Sequence, residues 1–175
     1  MEELRLIRPT AAYADVIAAY RQEFLDAGSS MDGTGQLRRM PDPAEWLAAC
    51  EAFEDPAAVP EGLVQATQFL YVRASDDRIV GMIQVRHRFN DYLAQFGGNI
   101  GYSVRPSERR RGYAGQMLRD CLPFCREIGL GKVLVTCLVG NEGSRRTILK
   151  NGGVYAGTVH EPDENVDLQR YWITL

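Results

Sequence analysis

Apolar residues recur along the chain with two periods, and the switches between them lay out an order of elements. Leu4 and Leu6 alternate with polar neighbours in a short strand that stops at Pro9, and Thr10 then caps a helix whose inward positions are Val16, Ile17, Tyr20 and Phe24. From Gly28 to Pro60 the period is lost among glycines and Pro41, Pro43, Pro56 and Pro60, leaving room for one helix over Pro43 to Phe53 with Asp42 as its cap. Two β-rich runs, Gln68 to Arg73 and Ile79 to Phe89, flank the turn Ser75-Asp76-Asp77-Arg78 and predict an antiparallel hairpin. A further strand, Asn99 to Val104, follows Gly97-Gly98 and ends at Arg105-Pro106, because proline has no N–H to continue a ladder.

Ala114, Met117, Leu118, Cys121, Leu122, Cys125 and Ile128 fall at helical spacing and predict a third helix running to Gly129. Pro123 lies inside it, removes one backbone hydrogen bond and predicts a bend. Val133 to Leu138 reads as a buried strand, Asn141 caps a fourth helix ending at Gly152-Gly153, and Val154 to His160 and Leu168 to Leu175 complete the strands. Strand, helix, strand across residues 99 to 138 implies a parallel pair with a right-handed crossover. The expected class is α/β: a mixed sheet with helices on both faces, in one domain over residues 1–175 with no internal repeat.

Composition narrows the function classes. With 20 Lys+Arg against 23 Asp+Glu, no overall basic field points to nucleic acid or to an anionic membrane. No apolar run approaches membrane-spanning length, and Glu2, Glu3, Arg5 and Arg8 interrupt any secretory-type opening, so a soluble, cytoplasmic protein is expected. Cys50, Cys121, Cys125 and Cys137 lack metal-ligand spacing and only His87 and His160 could assist them, so no metal site is expected. Cys121 and Cys125 share one apolar helical face and read as buried thiols.

The dense basic cluster Arg109-Arg110-Arg111 needs a local explanation. The segment VRPSERRRGYAGQML sets a glycine-containing turn between a strand end and a helix start, which leaves backbone N–H groups unpaired at the positive end of the helix dipole. That is an anion site: Gly112 lets an anion approach the backbone, Ala114 keeps the next turn small, and arginine adds complementary charge. The bland alternative is a helix start flanked by a solvated basic face. No GxxxxGK[ST] and no GxGxxG opening a helix is present, which sets aside nucleoside-triphosphate and dinucleotide loops.

Arg109-Arg110-Arg111-Gly112-Tyr113-Ala114 resembles the acyl-CoA pyrophosphate loop of the GNAT N-acetyltransferases, Arg/Gln-x-x-Gly-x-Gly/Ala. The likeness extends to the preceding Val104-Arg105-Pro106 and the following Asn141-Glu142-Gly143-Ser144, over residues 99 to 153, and the run GGNIGYSVRPSERRRGYA with RYWI near the C-terminus is similar to a subgroup described only as predicted acetyltransferases. The resemblance implies a mostly antiparallel sheet with a central parallel pair and helices on both faces, acetyl-CoA as co-substrate, a CoA-binding core over residues 99–153, and an acceptor side built from helices within residues 10–63. It also implies that Ser103 and Val104 contact the pantetheine arm, with an N–H near Val104 polarising the thioester carbonyl. Arg109, Arg110, Arg111, Gly112, Tyr113, Ala114 and Gly115 would bind the pyrophosphate, and Asn141 and Ser144 would touch the CoA arm.

Transfer to an amine needs a base or water chain for the amine and an acid for the departing thiolate. The family's tyrosine position after the asparagine is Ile148 here, so the usual acid is missing. Tyr102, Tyr155 and Tyr171 are candidate replacements, each also readable as a sheet aromatic; His87 could serve as base, while Glu108 could equally be a loop carboxylate facing water. The expected acceptor is a small-molecule primary amine, with a peptide or protein amine second. A non-catalytic acyl-CoA-binding module, suggested by Ile148, and an unrelated domain binding a phosphorylated partner are the competing classes. Glu45, Glu51, Glu54 and Asp55 could attract a cationic amine or simply solubilise a helix, Trp46 and Phe53 fit either a pocket wall or the core, and exposed C-terminal strands permit a homodimer.

Overall fold

A computed structural model describes residues 1–175 and consists of one seven-stranded sheet with four α-helices. The strands are β1 (Leu4–Ile7), β2 (Ala66–Arg73), β3 (Arg78–Arg86), β4 (Ile100–Val104), β5 (Lys132–Leu138), β6 (Val154–Glu161) and β7 (Val166–Thr174), in spatial order β1-β2-β3-β4-β5-β7-β6. Neighbours are antiparallel except β4 and β5, the expected parallel pair. The helices are α1 (Ala14–Asp26), α2 (Pro43–Glu54), α3 (Tyr113–Glu127) and α4 (Glu142–Lys150).

Local chemistry sets the helix ends. Asp42 Oδ1 accepts from the Ala44 N–H at 3.0 Å with Pro43 as the first helical residue of α2, and Asn141 Oδ1 accepts from the Ser144 N–H at 3.1 Å at the start of α4. Thr10 is a correction: its side chain makes no cap bond, and it leads into a 3₁₀ turn, Ala11–Tyr13, that continues into α1. The expected strand to Phe89 ends at Arg86, and Leu93–Gly97 forms a π-helical turn that no periodicity announced. Helix α3 continues through Pro123, which is exposed, so the Arg119 carbonyl it cannot serve is left to water.

The sheet buries a cluster on each face. Ile17, Tyr20 and Phe24 of α1 and Trp46 of α2 pack on Leu70, Val72 and Met82, while Met117, Leu118, Cys121 and Cys125 of α3 and Ile148 of α4 pack on Ile83, Val85 and Val135. The pairing of alternate residues with opposite faces follows from the two-residue strand period, and the four-residue spacing of the α3 thiols puts both in the core as expected.

Two contacts shape the centre of the sheet. At its lower end β4 is knitted to β5: the Asn99 N–H donates to Leu134 O, and Asn99 Oδ1 accepts from the Leu134 N–H, both at 2.8 Å. Beyond the single pair Ile100↔Val135 the strands part. The upper half of β4 is held toward α1 instead, with the Tyr20 hydroxyl against Ser103 Oγ at 2.9 Å and Arg105 Nε on Glu23 Oε2 at 2.8 Å. Over β4 lies the loop after α1, where Gly33 sits so close that a Cβ would fall 2.3 Å from the Gly101 carbonyl oxygen.

Gly33 also has φ +70°, so both its conformation and its packing require glycine. Gly33→Ala is expected to destabilise the protein by at least about 2 kcal/mol, read as a lower urea midpoint with unchanged slope.

Candidate active site

The segment from Arg109 to Gly115 joins the end of β4 to α3. Arg110 and Gly112 have φ of 64° and 82°, and this left-handed backbone turns successive N–H groups to one side. The backbone N–H groups of Arg110 through Gly115 have no backbone partner; the first helical bond runs from Gln116 to the Gly112 carbonyl at 3.2 Å. A Cβ on Gly112 or Gly115 would meet nothing within 4 Å beyond its immediate chain surroundings, so packing does not demand glycine at either position. Glycine at 112 is therefore demanded first by its backbone angle.

The three arginines divide. Arg109 turns back from the loop: Nε donates to Val104 O at 3.1 Å, Nη2 to Ser29 Oγ at 2.8 Å, and the guanidinium lies 5.6 Å from the Phe24 ring centroid. Arg111 leans on Glu108 at 3.5 Å. Arg110 makes no ion pair and remains exposed beside the unpaired N–H groups. Tyr113 is buried, its hydroxyl between Arg73 and Glu2, so it faces the loop only through its backbone.

Past the loop, the gap between β4 and β5 exposes a strand edge. Arg105 N–H bonds to Val80 on β3 at 2.8 Å, so by strand alternation the Val104 N–H points the other way, into the gap. Tyr102 reaches across the same gap to α4, its hydroxyl 2.6 Å from Ser144 Oγ. Burial raises its pKa well above that of an ordinary phenol, which keeps the hydroxyl protonated at neutral pH. Ser103 points to the opposite face, bonded to Tyr20.

Other candidates lie elsewhere. Glu108 does not face water: it is 5% exposed and receives Arg73 Nη1 at 2.9 Å and Arg78 Nε at 2.7 Å. Burial alone would raise its carboxyl, but the two guanidiniums outweigh burial and hold it below the ordinary glutamate range, so it is an anchor for the loop and a poor base. His87 follows β3 on the α3 face, where Nε2 meets Thr67 Oγ1 at 2.8 Å and burial lowers its pKa. Tyr155 stands exposed on the outer strand β6, edge-on to Tyr171 with its hydroxyl on Thr158, about 14 Å from β4 at three strand spacings. Neither converges on the gap, and Tyr171 is buried beyond β5 with its hydroxyl on Gln169.

The model for the acetyltransferase (GNAT) domain matches residues 4–154. The chain belongs to the GNAT acetyltransferase family. No curated protein matches the sequence significantly. Solved structures sharing the GNAT fold include the ribosomal-protein-S5-alanine acetyltransferase from Vibrio fischeri, 15% identical over 99% of this chain and 92% of that one, with a TM-score of 0.73. RimJ from Mycobacterium smegmatis, in complex with a CoA disulfide, is 20% identical over 98% of this chain and 81% of its own, with a TM-score of 0.72. The microcin C7 self-immunity acetyltransferase MccE, in complex with acetyl-CoA and AMP, is 15% identical over 99% and 93%, with a TM-score of 0.70. At these identities the likeness is one of fold. No helix of this GNAT protein is long and apolar enough to cross a membrane.

Trp46 and Phe53 are pocket walls in this GNAT structure, and the polar floor beneath them is a feature the sequence reading did not include. On the α1/α2 face, between α2 and the β2–β3 hairpin, lies a cavity of about 240 Å³ walled by Trp46, Cys50, Phe53, Leu63 and Tyr92 and floored by Gln68, Gln84 and Arg86. The strand pattern held the signal, since Gln84 and Arg86 share the inward parity of Met82.

The anchoring of the loop through Glu108 sets a pH dependence. With a folded pKa below the ordinary 4.5, Glu108 contributes stability that is present above that value and lost as pH falls through the folded pKa. Glu108→Gln is expected to cost about 3 kcal/mol at pH 7, with the gap to wild type narrowing under acid, as followed by denaturation between neutral and low pH.

Proposed function

We propose that this protein is an acetyl-CoA-dependent N-acetyltransferase acting on the primary amine of a small molecule, with residues 99–153 holding the cofactor and the helices within residues 10–63 shaping the acceptor side. The observation that carries the reading is the run of unpaired N–H groups from Arg110 to Gly115 leading directly into the β4–β5 gap. The residues fit the cofactor. A pyrophosphate needs N–H donors in a concave, left-handed backbone and an unneutralised cation, and Arg110 to Gly115 supply the first while Arg110 supplies the second. The pantetheine arm needs a free strand edge, which the upper half of β4 offers beside Asn141 and Ser144. MccE, which holds acetyl-CoA on the same fold, supports the choice of ligand. Four free thiols suit a reducing, cytoplasmic location.

Bound acetyl-CoA supplies a thioester carbonyl carbon for attack. The Val104 N–H is placed to donate to the carbonyl oxygen as charge gathers there, an interaction that strengthens toward the tetrahedral intermediate. The incoming ammonium first loses a proton to solvent or a carboxylate; its nitrogen then forms the C–N bond, the C–S bond breaks, and the nitrogen releases its second proton. The departing thiolate takes a proton from the Tyr102 hydroxyl, which Ser144 Oγ holds in place and can resupply. Tyr102 thus stands where Ile148, buried in the core, cannot act. His87 and Tyr155 take no part in this scheme.

Acetyl-CoA titration and thiol release with an amine panel test the reading. Gly112→Val, which forces a branched side chain into φ +82° at the loop, should weaken acetyl-CoA binding at least tenfold; undiminished affinity would remove the cofactor assignment. Tyr102→Phe should leave that affinity intact and lower kcat by about 100-fold, and an unchanged kcat would dismiss the phenol as acid. Cofactor binding without turnover on any amine would instead mark a binding module.

A further inference from the structure

The cavity beneath α2 has polar groups that the fold leaves without partners. Gln68, 4% exposed, is fixed by its Nε2 donating to Gly33 O at 2.8 Å, and its Oε1 has no hydrogen bond. A buried amide oxygen without a partner is costly, so its presence marks this end of the cavity as incomplete. Next to it in register stands Gln84, whose amide nitrogen borders Gly35, and then Arg86, whose guanidinium lies over Gly101 of β4. Arg86 spends one donor on the Gly97 carbonyl at 3.2 Å and makes no ion pair. Burial lowers its pKa, yet a guanidinium stays charged throughout the physiological range, so an uncompensated cation faces the cavity. Asp32 is exposed and adjoins Gly33, whose backbone packs over Gly101 and Tyr102 of β4 beside the Arg86 guanidinium, so this carboxylate stands near the cation without forming an ion pair.

Apart from Gln36 and Asn90, the remainder of the wall is apolar. A cavity of about 240 Å³ bordered by Trp46, Phe53 and Leu63 admits one aliphatic or aromatic side chain and no folded partner. Cation, apolar wall and rim carboxylate together match a zwitterion.

We propose that the acceptor is a free amino acid with an apolar side chain, its carboxylate held by Arg86 and the Gln84 amide, its side chain in the cavity, and its ammonium drawn to the rim by Asp32. The inference rests on the transferase reading above and adds the acceptor class. A carboxylate in contact with a guanidinium places an α-amine roughly 6 Å from the arginine, and Val104 lies about 10 Å along β4 from Gly101, so the amine would sit beside the Gly33 loop on the side of Arg86 nearer the gap. Asp32 provides the carboxylate that takes the first ammonium proton, and the acetyl group passes to the α-nitrogen with thiol release as written above.

The test pairs each acceptor with versions lacking its carboxylate charge. Thiol release from acetyl-CoA is measured with leucine, methionine and phenylalanine, with their amides, and with the corresponding decarboxylated amines; binding of the free amino acids is measured separately by calorimetry with CoA present. Free amino acids should bind and react, and the analogues lacking the carboxylate should lose at least about 30-fold in kcat/KM. Arg86→Gln should raise KM for the free acids by a similar factor and abolish the preference over amides, while acetyl-CoA affinity and the unfolding midpoint report that the fold persists. Equal rates with acids and decarboxylated amines, or an Arg86→Gln variant that keeps its preference, would overturn the proposal and leave the transferase standing. Failure of acetyl-CoA to bind would remove the transferase reading instead, and amino-acid binding by calorimetry without cofactor would still show whether the Arg86 site exists.

Discussion

The structure depends on how β4 is shared between its neighbours. At one end the Asn99 side chain and backbone lock it to Leu134 of β5; at the other, Tyr20 and Glu23 of α1 hold Ser103 and Arg105 on the far side. A parallel pair fastened at only one end must open, and the opening exposes N–H groups that a continuous ladder would consume. The N–H of Val104 is free because Arg105 is satisfied on β3. The same anchoring sets the direction in which the chain leaves β4 for the Arg109–Gly115 turn.

Charge around that turn is partitioned among roles that a basic run does not reveal. Arg109 braces β4 against Ser29 and Phe24, Arg111 joins the Arg73–Glu108–Arg78 cluster, and Arg110 alone keeps its charge unspent beside the unpaired N–H groups. Glu108 is the inverse case. Its place in a polar loop suggests solvent, but two guanidiniums converge on it at hydrogen-bond distance, and such a cluster tolerates burial only because each charge has a partner. Arg86 is the exception that lacks one, and so it draws attention to the cavity.

Much of the site was legible in the sequence because its parts are local. A glycine at positive φ, a proline ending a strand, an asparagine capping a helix and a run of backbone donors at a helix start all lie within a few residues of one another. The proposed acid and the proposed acceptor cavity were not legible in the same way. Tyr102, Tyr155 and Tyr171 are equivalent as sheet aromatics, and only the splay and the position of α4 separate the one bonded to Ser144 from the two beyond β5. His87 reads as a base in the sequence because a histidine at a strand end carries no sign of its surroundings; the structure sets it beside Phe124 and Thr67, away from the β4–β5 gap.

The order of the elements, the parallel pair, the buried faces and the glycine turn with its unpaired N–H groups were readable from the chain alone, because each follows from periodicity, capping or backbone angle over short stretches. Only the tertiary structure decided where β4 and β5 part, which arginine stays free, and that Gln68, Gln84 and Arg86 meet under α2. Those outcomes depend on contacts between residues tens of positions apart, such as Tyr20 with Ser103 and Asn99 with Leu134, and no local pattern encodes the competition among them.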